Sequence, residues 1–320
     1  MSDILVYTQI QDGAVHDVSL QCIAKASEVA NGGKVICLAV GSGMGEVAQS
    51  LFGYGADEVY VADDANLSQY VTTPFKKVVK DFLTDRAFQA VLFPATTVGD
   101  DLAPVLAAEL GAPCVIGCSD LSLQDGQLAP KRLEFDRKVT TSFGTAGDGP
   151  LMVTLVDGIA ETGTADTAKQ GDVQAVTVAL GEAELKAKVL SRDVATKTVN
   201  LKDARIIVGA GAGVGSEENF GKIRELATKL EAEIGATRAV VDAGWLAADH
   251  QIGQTGATVR PDVYIACGIS GAVQHWVGIS EARKIVAINI DKNAPLMKRA
   301  HYRIAGDLNE VVPKLTKLLG

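Results

Sequence analysis

The chain has 320 residues with a formal net charge of −9, 47% of them hydrophobic and 22% charged. Such a composition excludes a disordered chain, and an acidic balance with no Lys/Arg-rich stripe excludes a nucleic-acid partner. No apolar run approaches the roughly 20 residues of a membrane span, and single cores tend to stop growing at roughly 250–300 residues, which predicts two domains.

The first residues, "MSDILVYTQ", pass straight into a strand without the basic region of a secretory signal, which predicts a cytoplasmic protein. "ILVYTQ", "KVICLAV", "EVYVAD" and "AVLFPAT" are apolar runs of strand length, separated by the amphipathic stretches "SLQCIAKASEVA", "GEVAQSLFGYG" and "TPFKKVVKDFLTD". That alternation predicts a parallel sheet flanked by helices. After "DDLAPVLAAELGAP" polar and apolar residues alternate, and Asp125-Gly126 suits a tight hairpin turn. The first domain is therefore expected to end in antiparallel strands running through "LMVTLVDG". "VQAVTVAL" reads as one more strand, and a boundary near Asn200 gives domains 1–199 and 200–320. Beyond it come the strand "RIIVGA", a helix over "SEENFGKIRELATKLEAEIG", a short strand in "TRAVVDAG", and the buried strand "DVYIACG". A helix from "SGAVQHWVG", the strand "KIVAINI" and a last helix, "NEVVPKLTKLL", complete the chain. The expected class is α/β: two doubly wound domains, the first with an antiparallel extension and the second Rossmann-like.

The loop "GAGAGVGSEENF" follows a strand, but its glycines at 209, 211, 213 and 215 fit no G-x-G-x-x-G register. Glu217 and Glu218, read as the first helical turn, would repel a phosphate. Close backbone approach to a ligand or a neighbouring element is the expected use of these glycines. "GISGAVQH" makes a better anion site. Ser270 can cap the helix, Gly271 and Ala272 keep the backbone approachable, and no acid follows in the first turn. The same residues would equally make an ordinary Ser-capped helix. Gln274 and His275 lie one turn in. Among four histidines, His275 has no Ser or Cys set beside it for a hydrolytic triad. The five cysteines have no zinc-ligand spacing, and buried thiols in a reducing compartment are expected. Arg238 is a free cation or a salt-bridge partner, and Thr255 a hydrogen-bond donor or a turn former. With no catalytic set and no metal set, this inventory suits holding an electron-rich, phosphate-bearing cofactor better than breaking a bond.

"TRAVVDAGW", "QIGQTGATVRPDVYIACGISGAVQH", "KIVAINIDKNAP" and "GDLNEVVPKL" occur in order between Arg205 and Leu318. Through these blocks the chain resembles the electron transfer flavoprotein α-subunit family. The resemblance implies a C-terminal domain that binds FAD and an N-terminal domain that contacts a β-subunit in a heterodimer. It also implies electron transfer, by way of an anionic semiquinone, from an acyl-CoA dehydrogenase-type flavoprotein of fatty acid oxidation to a downstream acceptor. It places Thr237 and Arg238 near the isoalloxazine, and Ile252, Gly253, Gln254 and Thr255 along the flavin, with Thr255 near N5. Ser270, Gly271, Ala272, Val273, Gln274 and His275 would wrap the pyrophosphate and ring, His275 reaching the N1–C2=O edge. Asn289, Asp307 and Leu308 would hold the adenosine end. Two positions depart from the family pattern: Ala212 replaces the Arg of a "GRG" turn, and "LMKRAHY" puts His301 where "IFxxADY" has an acid. A simple carrier would pair with a β-subunit holding AMP, and a bifurcating one with a β-subunit holding a second FAD and using NADH. A flavin-free nucleotide-binding or scaffold subunit is the rival from another class. An NAD-dependent dehydrogenase is disfavoured by the missing glycine register.

Overall fold

Runs that are apolar at nearly every position, such as "ILVYT", "VICLAVG" and "AVLFP", become strands buried on both faces. The computed structural model describes residues 3–84, 86–135, 138–144, 147, 149–192, 199–202 and 204–319. The chain divides into two units, Met1–Arg192 and Asp193–Gly320.

The first unit is built on β1 (Ile4–Thr8), β2 (Val35–Gly41), β3 (Glu58–Asp63), β4 (Ala90–Pro94) and β5 (Cys114–Cys118). It continues with β6 (Asp120–Gln124), β7 (Gln127–Glu134), β8 (Val139–Ser142), β9 (Leu151–Leu155) and β10 (Val173–Ala175). Seven of these form one parallel sheet in the order β10-β3-β2-β1-β4-β9-β5. A purely parallel sheet needs cover on both faces. Here α1 (Asp17–Val29) supplies Cys22, Ile23 and Ala26 to one face. The short α2 (Gly45–Gln49) adds Ala48 to that face, and on the other α3 (Thr72–Thr84) and α4 (Thr97–Leu110) supply Phe75, Phe82 and Leu106.

"LMVTL" corrects the sequence reading: β9 is fully buried and runs parallel between β4 and β5. A run apolar but for Thr154, whose hydroxyl donates to Asp100, belongs inside a covered sheet rather than in a half-exposed antiparallel ribbon. The antiparallel extension comprises β6, β7 and β8, and Asp125 (φ 51) and Gly126 (φ 80) make its two-residue turn. Both positive φ values are those a type I′ turn requires. The turn after β2 is closed internally, because the Asp63 carboxylate accepts from the Gly43 and Met44 amides at 2.8 and 3.0 Å.

The second unit holds β11 (Ile206–Ala210), β12 (Glu233–Ala236), β13 (Val263–Cys267), β14 (Lys284–Asn289) and β15 (Tyr302–Ala305). All pair in parallel, in the order β12-β11-β13-β14-β15. Around them lie α5 (Phe220–Lys229), α6 (Arg238–Asp242), α7 (Val273–Ile279), α8 (Pro295–Arg299) and α9 (Leu308–Leu318). Here "EIGA" is the strand and "RAVVD" a helix, the reverse of the sequence reading. The chain turns at Glu231 (φ 51), which ends α5 early and frees Glu233–Ala236 to pair with β11. Glu217 and Glu218 precede α5, whose N-cap is Asn219. They therefore do not occupy its first turn. The edge strand β15 was not foreseen. His301 ties it on, since its amide donates to the Ile285 carbonyl and its Nδ1 accepts from the Ile285 amide at 3.0 Å.

Candidate functional site

With its strands taken in sequence, the second sheet reads 2-1-3-4-5. The chain leaves β11 toward one edge and later returns on its other side at β13, so the loops after these two strands diverge and open a crevice. A cavity of about 680 Å³ occupies that place. It is walled by the segments that follow β11 (Gly211–Gly213), β12 (Thr237–Ala239) and β13 (Gly268–Ser270), together with Asn289 at the end of β14.

The glycines of the first loop serve backbone packing. A Cβ on Gly211 would lie 2.3 Å from the Gly268 carbonyl oxygen, and one on Gly213 would lie 2.8 Å from the same atom. Of the two uses expected from the sequence, approach to a neighbouring element is the one seen. Ala212 faces the cavity between them.

Among the residues singled out in the sequence, Thr237, Arg238, Ile252, Gly253, Gln254 and Thr255 line the cavity, as do Ser270, Ala272, Gln274, His275 and Asn289. Gly271, Val273, Asp307 and Leu308 are not among its lining residues. Gly271 (φ 82) turns the chain against α8, where a Cβ would meet Leu296 at 2.5 Å. Asp307 caps α9 through the Asn309 amide, and Leu308 is buried in the core. Gly211, Gly213, Ala239, Gln251, Gly268, Ile269, Asp291 and Ala294 also line the cavity and were not assigned from sequence. Several of them sit just past strand ends, a position that could have found them.

Ser270 is not a helix cap, which corrects a second expectation. The helix α7 begins at Val273, its N-cap is Ala272, and no side chain caps it. The Val273 and Gln274 amides thus open the helix without intrahelical acceptors. Thr237 Oγ1 is buried with no hydrogen-bond partner, and an unpaired buried hydroxyl is costly unless a ligand or water meets it. Thr255 Oγ1 accepts from Gln251 Nε2 at 2.9 Å, which leaves its own proton free to donate. Asn289 braces two loops: its amide donates to the Ile269 carbonyl, and its oxygen accepts from the Asp291 amide. Arg238 pairs with Asp242 at 3.3 Å, with its side chain 71% exposed. Exposed pairs of this kind are worth about 0–1 kcal/mol, so the cation is readily released.

His275 is 6% exposed, and both of its ring nitrogens are engaged within the protein. Nδ1 lies 3.0 Å from the Ile252 carbonyl and Nε2 lies 3.0 Å from the Tyr264 hydroxyl. Burial pushes its pKa down to about 4, so the ring is neutral near pH 7. The sequence reading had this imidazole reaching toward a ligand. In the structure it lines the cavity, with each ring nitrogen 3.0 Å from a partner within the protein.

A flavodoxin-like parallel sheet with a cavity at its switch point defines an α/β protein built to hold a ligand there. Comparison with known proteins makes this particular. Residues 4–180 match the electron transfer flavoprotein domain family, and residues 200–280 match the electron transfer flavoprotein FAD-binding domain. Over 317 residues, 98% of this chain and 96% of the relative, the chain is 37% identical to electron transfer flavoprotein subunit alpha of Thermoanaerobacterium thermosaccharolyticum. It is 36% identical to the Bacillus subtilis protein of the same name, over 98% and 96% of the two chains. It is 38% identical to Protein FixB of Clostridium saccharobutylicum, over 98% and 94%. The chain belongs to the electron transfer flavoprotein α-subunit family, and its cofactor is FAD. The residues present fit that group: an unpaired buried hydroxyl, open helix amides and a releasable cation surround a cavity of suitable size.

Proposed function

We propose that FAD is held in the switch-point cavity by the residues that line it. The open amides of α7, with Ser270 beside them, meet the phosphates, because helix starts favour anions. Thr237, Arg238 and Ile252–Thr255 hold the flavin ring, and Asn289 fixes the loops at the adenosine end. The observation that carries this reading is the unpartnered hydroxyl of Thr237, buried against the cavity beside a cation. When bound, FAD supplies the acceptance and release of single electrons. The chain orients the ring, shields it from water, and places the Arg238 charge where negative charge develops.

The protein works with a β-subunit and carries electrons from an acyl-CoA dehydrogenase-type flavoprotein to a downstream acceptor. The name of its relatives, "subunit alpha", supports a partner chain. Ile116, Phe135 and Val139, exposed on or beside β5–β8, support contact of the N-terminal domain with that partner. Five free cysteines support a reducing cytoplasm.

The test is FAD and AMP content per heterodimer, extracted from protein purified with its native β-subunit. One FAD with one AMP is the expected result and marks a simple carrier. Two FAD and no AMP would mark a bifurcating complex. Absence of flavin would overturn the reading.

A further inference from the structure

The first unit has a crevice of its own. Its large sheet places β1 between β2 and β4, so the chain leaves β1 toward one edge and later returns on the other side, and the loops after β1 and β4 diverge. A cavity of about 590 Å³ lies there, a size usual for small-molecule sites. Residues 9–13 after β1, 42–44 after β2, 67–70 after β3 and 97–98 at the start of α4 line it, and Val189, Ser191 and Arg192 complete the wall.

The wall carries no net charge. Its two charged side chains, Asp12 and Arg192, pair with each other at 2.8 and 3.3 Å. The amides an anion would seek are taken as well. Those of Gly43 and Met44 donate to the Asp63 carboxylate, and that of Gly99, in the first turn of α4, donates to Thr96 Oγ1 at 3.1 Å.

Two neutral donors are unspent. Tyr7 is 1% exposed and lines the cavity, and its hydroxyl makes no hydrogen bond to a described residue. Burial raises its pKa far above neutral, so the phenol keeps its proton. Gln9 Oε1 accepts from the Thr96 hydroxyl at 2.6 Å, and its Nε2 protons go to no described residue. The rest of the wall mixes apolar Val40, Leu67 and Phe75 with the hydroxyls of Ser42, Ser68 and Ser191.

We propose that this cavity is a second small-molecule site, for an uncharged nucleoside: the apolar residues take the planar base, Tyr7 and Gln9 donate to acceptor atoms on its edge, and the serine hydroxyls meet the sugar. A nucleoside supplies what the wall lacks. Its ring nitrogens and carbonyls accept, its faces are apolar, and without phosphate it brings no charge to a site whose own charges cancel. A phosphate would find neither a free cation nor an open amide, and a plain hydrocarbon would leave two buried donors unpaired. The site shares no residue with the FAD cavity and does not rest on that reading.

The test is isothermal titration calorimetry of the FAD-loaded heterodimer with adenosine, uridine and their 5′-monophosphates, as wild type, Tyr7→Phe and Gln9→Ala. Tyr7→Phe keeps the ring and removes only the hydroxyl. We expect saturable binding of at least one nucleoside, with its monophosphate weaker by about tenfold or more. Each substitution should weaken the nucleoside about tenfold, the worth of one hydrogen bond. If Gln9→Ala does not fold, Tyr7→Phe decides alone. Absence of saturable binding by either nucleoside at millimolar concentration overturns the proposal. Binding that neither substitution weakens lies elsewhere, the β-subunit included, and overturns it too. A monophosphate that binds as tightly as its nucleoside and is weakened by the same substitutions overturns the uncharged class. Flavin-free heterodimer should give the same affinities, so failure of the FAD reading leaves this test standing.

Discussion

The Gly213 amide donates to the Gly268 carbonyl at 3.0 Å, joining the loops after β11 and β13 backbone to backbone at the mouth of the crevice. The contact leaves no space for a side chain at residue 211 or 213. Gly211→Ala should therefore destabilise the C-terminal unit by about 1–3 kcal/mol, as overpacking does, and lower FAD retention. Urea unfolding of the variant checks this, and a midpoint equal to wild type would contradict the packing account.

Thr237→Val separates the demands of the empty and filled site. It removes a buried hydroxyl without a partner and keeps the shape. Flavin-free protein should be as stable as wild type or more so, while FAD affinity falls about tenfold, the worth of one hydrogen bond. Thermal melts with and without FAD give both signs. Lower flavin-free stability together with unchanged affinity would remove Thr237 from the binding set.

Arg238 is tested by its charge. In Arg238→Ala the FAD potential should fall, because a nearby cation favours the reduced, negative ring. Two unit charges about 4 Å apart in water interact by about 1 kcal/mol, which sets the scale. A spectroelectrochemical titration measures it, and an unchanged potential at unchanged FAD content would place the guanidinium away from the ring.

Stability should depend on pH through His275. Its pKa in the fold is about 4, below the ordinary 6.5, because burial disfavours the charged ring. As pH falls the unfolded chain therefore binds this proton first. The stability held by the neutral ring is complete above about pH 6.5 and is lost as pH drops toward about 4, on the order of 3 kcal/mol in all. Urea midpoints across that window should decline in wild type and decline less in His275→Gln. Equal slopes would mean that another group titrates.

The long apolar strands and amphipathic helices were legible because period and length agreed, as in "VICLAVG" and "TTPFKKVVKDFLT". Four-residue elements carried no such signal. "EIGA" merged with the helix before it, since nothing in its composition announced the turn at Glu231. In the site, the small residues after β13 were visible as a ligand turn. Which of them opens the helix was not visible, because Gly271 turns the chain against Leu296 and moves the start to Val273. The engagement of His275 was hidden as well. It depends on Tyr264, eleven residues away, and on a carbonyl, a group every residue has.

The carboxylate of Asp63, fastened over the Gly43 and Met44 amides, acts in the first unit as a tethered competitor. A free phosphate would have to displace a rival whose effective concentration, set by a covalent leash, is on the order of millimolar or higher. Those two amides are already satisfied within the chain, so an anion gains them only by first displacing Asp63.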